Sequence, residues 1–207
     1  MPEQKNLPAG RQDITAIILA GGHSSRMMKD KGLVYFKGKM LVEHVIESVK
    51  KITGHILIVT QNEAYKQFGY PCYADLLKEK GALGGIYTGL FHSATKKNLV
   101  VGCDMPFLSE NILAALISKS SDEDVLLTKH SGKAEPLCSV YDRNIITHIR
   151  SLLEQNQLKI TDALEGLKTR VISFDAEEWF RGDEFANINS DDELKRFENN
   201  NNKNKFN

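Results

Sequence analysis

The sequence predicts a single-domain α/β protein of Rossmann-like type, with a mostly parallel sheet covered by helices on both faces. Three apolar, β-branched runs predict strands that are buried on both sides, and they occupy Thr15–Leu19, His55–Thr60 and Asn98–Gly102. Segments with helical spacing of apolar residues lie between them, and this alternation is typical of parallel sheets. The 207 residues contain no linker rich in Pro, Gly or Ser, which favours one domain.

The other elements follow from local patterns. Leu41, Val45, Val49 and Ile52 form the apolar stripe of a helix after the first strand. Residues 1–13 and 199–207 lack such periodicity, so we predict a folded domain at 14–198 between two disordered tails. In chain order, the remaining expected elements are a helix at Gly84–Ala94, a helix capped by Ser109, strands at Val125–Thr128 and Pro136–Tyr141, a helix at Ile145–Leu153, a strand at Val171–Phe174 and a last helix opened by the capping box Ser190–Glu193.

Composition argues against several classes of function. The 27 Lys and Arg residues balance 27 Asp and Glu residues, so there is no overall positive charge to hold a nucleic acid. The three cysteines are far apart and lack zinc-type spacing, which is typical of a reduced intracellular protein. The N-terminus lacks the apolar core of a signal peptide, and no apolar run approaches the ~18 residues of a membrane span. We therefore expect a cytoplasmic protein that binds neither nucleic acid nor membrane.

A glycine-rich stretch over residues 19–27 begins where the first predicted strand ends. Gly21 and Gly22 allow the backbone to turn tightly and to approach a ligand, because they lack a Cβ atom. Successive N–H groups in such a loop form a concavity that suits phosphate. Arg26 and Lys31 then bring positive charge to a polyphosphate. The alternative is a tight loop with solvated cations, but the whole string after a buried strand favours a nucleotide site.

A carboxylate, Asp104, follows the third predicted strand within the segment Gly102–Pro106. In an open α/β sheet ligands bind outside the carboxyl ends of the strands, so Asp104 is expected near the glycine-rich stretch. Mg²⁺ favours one or two carboxylates together with phosphate oxygens, and Asp104 is the candidate ligand. The alternative is a turn aspartate that precedes Pro106.

Two further signals are weaker. Asp75 precedes a second glycine-rich segment, Gly81–Gly85, which we expect to be a loop that runs into a helix and could close over a base or ribose. The alternative is a loop into a helix that binds no ligand. Asn187 and Asn189 lie two residues apart, so their amides would point the same way from an extended segment. They could orient a ligand or satisfy the backbone.

These motifs resemble the signature of the molybdenum cofactor guanylyltransferases, in the wider nucleotidyltransferase superfamily. The resemblance covers about Ile14 to Phe197 and implies a fold of the nucleotide-diphospho-sugar transferase type. Sugar-phosphate nucleotidyltransferases and cytidylyltransferases share a looser form, commonly with a second alanine at the position of Gly21. The matching segments, in the family's order, are Leu19-Ala20-Gly21-Gly22, Ser25-Arg26-Met27, Asp30-Lys31, Gly84-Gly85, Cys103-Asp104-Met105-Pro106-Phe107 and Asn187-Ile188-Asn189.

The resemblance implies a reaction in which GMP passes from GTP to the phosphate of molybdenum-molybdopterin and pyrophosphate is released. GTP and the molybdopterin cofactor would be the substrates, Mg²⁺ or alternatively Mn²⁺ the metal, and the enzymes that accept the product transient partners. By the same resemblance, Leu19, Ala20, Gly21, Gly22 and Gly85 would hold the nucleotide, Arg26 and Lys31 would neutralise phosphate charge in catalysis, Asp75 would contact the nucleoside, Asp104 would bind the metal, and Asn187 and Asn189 would lie toward the pterin.

Other functions stay open from the sequence. A nucleotidyltransferase that uses CTP with the same pterin, or a nucleoside triphosphate with a sugar phosphate, would need the same loop and metal carboxylate. A non-catalytic nucleotide-binding protein would keep the fold, although the intact Arg26, Lys31 and Asp104 argue against a decayed site. One member of the family has an asparagine against the nucleotide after the second strand, where this chain offers only Gln61 or Asn62. The choice of base is therefore open.

Overall fold

A computed structural model describes residues 14–21 and 30–203, with side chains up to residue 199. This part of the chain forms a seven-stranded sheet, a two-stranded hairpin and five α-helices. The strands are β1 Ile14–Leu19, β2 Tyr35–Phe36, β3 Lys39–Met40, β4 His55–Val59, β5 Cys72–Tyr73, β6 Lys97–Gly102, β7 Val125–His130, β8 Lys133–Asp142 and β9 Thr169–Ser173. The helices are α1 Leu41–Lys50, α2 Gly81–His92, α3 Glu110–Lys119, α4 Ile146–Glu154 and α5 Asp191–Lys203.

The order of the strands creates a place for a ligand. The large sheet runs β5-β4-β1-β6-β8-β7-β9. Neighbouring strands pair in parallel except at β8, which is antiparallel to β6 and to β7. This confirms the predicted mostly parallel sheet. After β1 the chain builds β4 and β5 on one side and then β6 on the other, so the switch point where ligands bind lies between the carboxyl ends of β1 and β6.

Strand β1 shows why the sheet is covered on both sides. Ala16 and Ile18 belong to one buried cluster, which also contains residues of α1 and α3. Ile17 and Leu19 belong to a second cluster, which contains residues of α2 and α4. Because side chains alternate along a strand, a run that is apolar at every position is buried on both faces. The packing confirms the two-sided arrangement that the sequence predicts.

Helix α2 differs from its prediction at the N-terminus. It begins at Gly81 rather than Gly84, so the glycine loop expected at Gly81–Gly85 is instead the first turn of the helix. Glycine is a poor helix former in isolation, but tertiary burial of α2 outweighs that cost. A Cβ atom at Gly89 would collide with Ile17 Cγ2, so glycine lets the helix lie directly on β1.

Both predicted serine caps are present. Ser109 Oγ accepts a hydrogen bond from Ile112 N at 3.3 Å, and Ser190 Oγ accepts one from Glu193 N at 3.2 Å. Helix α5 continues to Lys203, past residue 199, where the sequence predicts the C-terminal tail to begin. Across residues 14–21 and 30–203, every helix is too short or too polar to cross a bilayer.

Candidate active site

A cavity of about 220 Å³ lies at the switch point, beside the N-terminus of α2. It brings together most of the residues that the sequence singles out. Gly22 and Arg26 fall outside the described residues, and neither Asn187 nor Asn189 is part of the lining. The lining consists of Leu19, Ala20, Gly21, Asp30, Lys31, Val59, Asp75, Gly81, Ala82, Gly85, Gly102, Cys103, Asp104 and Leu137.

Lys31, Asp104 and Asn189 form a charged group at the carboxyl end of β6. Lys31 Nζ donates to Asn189 Oδ1 at 2.6 Å and lies 3.6 Å from Asp104 Oδ2. The backbone holds the group together, because Ile188 N donates to the carbonyl oxygen of Asp104 at 3.0 Å. The side chains of Lys31 and Asp104 remain 25% and 18% exposed, so a ligand can reach both. The family resemblance implies that Asn189 lies toward a pterin. In the structure its amide oxygen accepts a hydrogen bond from Lys31.

The environment of Asp104 suits a ligand that brings positive charge. Burial raises the pKa of its carboxyl group, and the Lys31 ammonium opposes that shift. Mg²⁺ binds one or two protein oxygens together with phosphate oxygens, and Asp104 and Asn189 both offer side-chain oxygens here. Among the described residues, no three His, Cys, Asp or Glu side chains come together to hold a metal ion alone. The residues present therefore fit a magnesium ion that arrives with a triphosphate.

Asp75 carries a buried acceptor atom without a partner. Its Oδ1 atom makes no hydrogen bond to any described residue, although it is shielded from solvent. Burial raises the pKa of the Asp75 carboxyl group, and the Gln61 side chain opposes the shift to a smaller extent. A Cβ atom at Gly21 would stand 3.8 Å from Asp75 Oδ2, so the carboxyl group lies beside the end of β1. A ligand with an N–H or O–H donor would satisfy this atom.

Gly85 has a steric role as well as a place in the cavity wall. A Cβ atom at Gly85 would stand 3.3 Å from Leu19 Cδ2, which is tighter than ordinary contact. The absence of a side chain therefore lets the first turn of α2 approach Leu19, at the floor of the predicted nucleotide site. Leu137, from the segment Glu135-Pro136-Leu137 of β8, completes the wall across from β6.

The turn that carries Lys31 is anchored by Asp30, a contact that the sequence did not single out. Asp30 caps a 3-10 turn at Lys31–Leu33, and its Oδ1 accepts from Gly32 N at 3.2 Å and from the Tyr65 hydroxyl. Its Oδ2 accepts from Asn62 Nδ2 at 3.0 Å. The sequence shows only an aspartate before a short turn. Its partners Asn62 and Tyr65 lie more than thirty positions away, so no local pattern indicates these contacts.

Both polar atoms of the Asn62 side chain bond to protein. Besides donating to Asp30, its Oδ1 accepts from Ala64 N at 3.0 Å and caps the next 3-10 segment. Of the two residues that the sequence offers for a nucleotide contact after β4, Gln61 is therefore the one left exposed for a ligand.

Comparison with known proteins assigns the family. The family described as MobA-like NTP transferase domain matches residues 16–169. A protein of Flavobacterium johnsoniae, described as a probable molybdenum cofactor guanylyltransferase, is 39% identical over 184 residues, which cover 88% of this chain and 95% of that protein. The molybdenum cofactor guanylyltransferase of Vibrio vulnificus is 32% identical over 186 residues, which cover 87% of this chain and 93% of the relative.

Solved structures agree with these sequence matches. Molybdopterin-guanine dinucleotide biosynthesis protein A from Archaeoglobus fulgidus superposes with a TM-score of 0.77 at 27% identity, covering 91% of this chain and 99% of that one. A CMP:2-keto-3-deoxy-manno-octonic acid synthetase complexed with CTP shares the fold, with a TM-score of 0.70 at 13% identity over 93% of this chain and 100% of that chain. The chain belongs to the MobA-like NTP transferase family.

Proposed function

We propose that this protein transfers GMP from GTP to the phosphate of molybdenum-molybdopterin and releases pyrophosphate. The meeting of Lys31, Asp104 and Asn189 at the switch point of a MobA-like sheet is the observation that carries the proposal. Relatives that match most of the chain, over most of their own length, are named molybdenum cofactor guanylyltransferases. The product is the guanine dinucleotide form of the cofactor.

The chemistry needs positioning and charge neutralisation. An oxygen of the cofactor's phosphate attacks the α-phosphorus of GTP, and a new phosphoanhydride bond forms. The bond from the α-phosphorus to the oxygen that bridges to the β-phosphate breaks, and pyrophosphate leaves with the electron pair. Because the attacking phosphate is already anionic, no strong general base is required. Catalysis then depends on orientation and on groups that offset negative charge.

The cations and the metal ligand have separate tasks. Lys31 exchanges its bond to Asn189 for a phosphate oxygen of GTP, a charge-assisted hydrogen bond. Arg26, which follows the glycine loop in sequence, neutralises the leaving pyrophosphate. Asp104, with the Asn189 amide beside it, would hold Mg²⁺, and Mn²⁺ is the alternative. When bound, the ion neutralises charge on the phosphates.

The nucleoside occupies the cavity between β1 and α2. Backbone atoms of Leu19, Ala20 and Gly21 contact the nucleotide, and Gly85 leaves room beside them. Gly22, which lies outside the described residues, would add a further backbone contact from the same loop. The unpartnered Oδ1 of Asp75 accepts a hydrogen bond from the base or the ribose. Asn187 lies toward the pterin.

We expect the reaction to take place in the cytoplasm, without nucleic acid or membrane. Enzymes that receive the finished cofactor would meet this protein transiently.

A competition experiment tests the choice of substrate. The purified protein receives molybdenum-molybdopterin, Mg²⁺ and an equimolar mixture of GTP, CTP, ATP and UTP, and the products are identified by mass spectrometry. We expect the guanine dinucleotide and pyrophosphate, and about 10²–10³-fold slower formation of both with Asp104→Asn. A cytosine dinucleotide would overturn the choice of GTP while keeping the reaction. Binding of GTP without any dinucleotide would overturn the enzymatic assignment.

A further inference from the structure

A buried tyrosine reaches the turn that carries Lys31. Tyr65 lies in the 3-10 segment Glu63–Phe68 after β4 and has no exposed surface. Its hydroxyl donates to Asp30 Oδ1. Burial raises the pKa of Tyr65, and the Asp30 carboxylate adds to the shift, so the hydroxyl keeps its proton and acts as a donor.

Gly32 shows how close this contact is. A Cβ atom at Gly32 would collide with the Tyr65 hydroxyl and would stand 3.1 Å from Cys103 Sγ. The backbone next to Lys31 is therefore packed between the tyrosine and the residue that precedes Asp104. The buried Tyr65 hydroxyl therefore contacts the turn that carries Lys31, and the same turn packs against Cys103 at the end of β6.

Both oxygens of the Asp30 carboxylate, which accepts from this hydroxyl, are engaged. Asp30 accepts from Tyr65, from Gly32 N at 3.2 Å and from Asn62 Nδ2 at 3.0 Å. With three donors on its two oxygens, the carboxylate is held in place and fixes the turn that it caps. The adjacent Lys31 directs its ammonium away from it, to Asn189 and Asp104.

We propose that Tyr65 is a positioning residue for Lys31. Its hydroxyl fixes Asp30, Asp30 caps the turn at Lys31–Leu33, and the turn directs Lys31 Nζ toward Asp104. The functional consequence rests on the proposed contact of Lys31 with a phosphate of GTP. Removal of the hydroxyl loosens the turn, and the lysine then loses affinity for the triphosphate because it must be ordered when the ligand binds.

Tyr65→Phe tests this, because the ring stays and only the hydroxyl is lost. Without nucleotide, we expect faster hydrogen exchange in the peptide that covers residues 30–36. With GTP, we expect about tenfold weaker binding by calorimetry. In a Lys31→Ala background, Tyr65→Phe should change GTP affinity no further, since it acts through the lysine. Equal GTP affinity and unchanged exchange in Tyr65→Phe would overturn the proposal.

Thr53→Val is the matched control. It also removes a buried hydroxyl, one that donates to the Ile14 carbonyl at 2.7 Å at the opposite edge of the sheet. We expect it to lower thermal stability while leaving both GTP affinity and exchange over residues 30–36 unchanged. A loss of GTP affinity equal to that of Tyr65→Phe would reduce the tyrosine to a structural residue and overturn the proposal.

A swap of the carboxylate and amide gives a second test. In Asp30→Asn the new amide would lie opposite the amide of Asn62. In Asn62→Asp the new carboxylate would lie opposite the carboxylate of Asp30. Each single variant should therefore weaken GTP binding. The double variant restores one carboxylate and one amide, and we expect it to recover most of the affinity. Failure of the double variant to exceed both single variants would contradict the anchor. If the wild-type protein binds no GTP, the proposed function fails, whereas hydrogen exchange over residues 30–36 still decides the role of Tyr65.

Discussion

Buried polar side chains at the amino and carboxyl edges of the sheet differ in whether they face the cavity. At the amino edge, Thr15 Oγ1 and Thr95 Oγ1 lie 2.8 Å apart, and Thr53 Oγ1 donates to the Ile14 carbonyl at 2.7 Å. At the carboxyl edge, Asp75 Oδ1 is buried without a partner among the described residues. Buried acceptors that the described residues leave without a partner also occur at the amino edge, as at Asn98 Oδ1 near the start of β6. Asp75 differs because it lines the cavity, so a ligand can supply the missing donor there.

The buried Glu123 and the half-buried Asp104 allow a comparison of the two edges in electrostatic terms. At the amino edge, burial opposes the ionisation of Glu123, yet Ser121 N at 2.9 Å, Ser121 Oγ at 2.8 Å and the Arg170 guanidinium lower its pKa to about 2. At the carboxyl edge, burial dominates over Lys31 and the pKa of Asp104 is raised. The Glu123 carboxylate therefore stabilises the fold, whereas the Asp104 carboxylate is only partly compensated by Lys31 and can accept further positive charge.

Of the substitutions considered, Asp104→Asn should have the largest effect, which is a loss of activity without a loss of stability. The change keeps the shape of the side chain but removes the charge proposed to hold the metal, so we expect GMP transfer to fall by about 10²–10³-fold. The folded state should be at least as stable at neutral pH, because a carboxyl group with a raised pKa is costly to ionise in the fold. Transfer rates and urea unfolding check both parts; full activity would refute the metal assignment.

Glu123→Gln should lower stability while leaving transfer activity intact, the reverse of Asp104→Asn. A carboxyl pKa that falls from 4.5 to about 2 corresponds to ~3 kcal/mol of unfolding free energy at neutral pH. Because the folded pKa is the lower one, this contribution is present above pH 4.5 and disappears as the pH falls toward 2. Urea unfolding of wild type and variant between pH 3 and 7 measures the difference. We expect transfer activity to persist, and a pH-independent difference would contradict the account.

Lys31→Ala should weaken GTP binding by about 2 kcal/mol, the scale of one charge-assisted hydrogen bond. Lys39→Ala is the control, since Lys39 pairs with Glu47 at 2.6 Å on an exposed surface away from the cavity. For the control we expect no change in GTP affinity and a stability loss within about 0.5 kcal/mol. Calorimetric titration of the two variants separates the roles; equal affinities would remove Lys31 from the site.

Of the substitutions at the site, Asp75→Asn should have the smallest effect, and this effect is a gain in stability. Burial raises the pKa of Asp75, so the wild-type fold loses stability as pH rises through that pKa, and the amide does not. We expect a gain on the order of 1 kcal/mol at neutral pH that vanishes below the ordinary Asp range of about 3.9. Thermal melts at pH 3.5 and 7.5 test the sign; destabilisation at pH 7.5 would contradict it.

The sequence predicts what depends on local pattern and misses what depends on distant contact. Continuous apolar runs predict β1, β4 and β6, and sheet topology then brings Gly21 near Asp104. The start of α2 was wrong by three residues, because the low intrinsic helicity of Gly81 and Gly84 hides the tertiary packing that favours a helix there. The anchor of Asp30 by Tyr65 was not predictable, since no local signal links positions 35 residues apart.

The most direct test of the account is to follow each phosphorus of GTP. The protein is incubated with molybdenum-molybdopterin, Mg²⁺ and GTP labelled at either the α- or the γ-phosphate. We predict that the α-label appears in the molybdopterin dinucleotide and the γ-label in pyrophosphate, and that Asp104→Asn slows both by about 10²–10³-fold. Release of the γ-label as orthophosphate, or its transfer to the cofactor, would contradict nucleotidyl transfer at the carboxyl edge of this sheet.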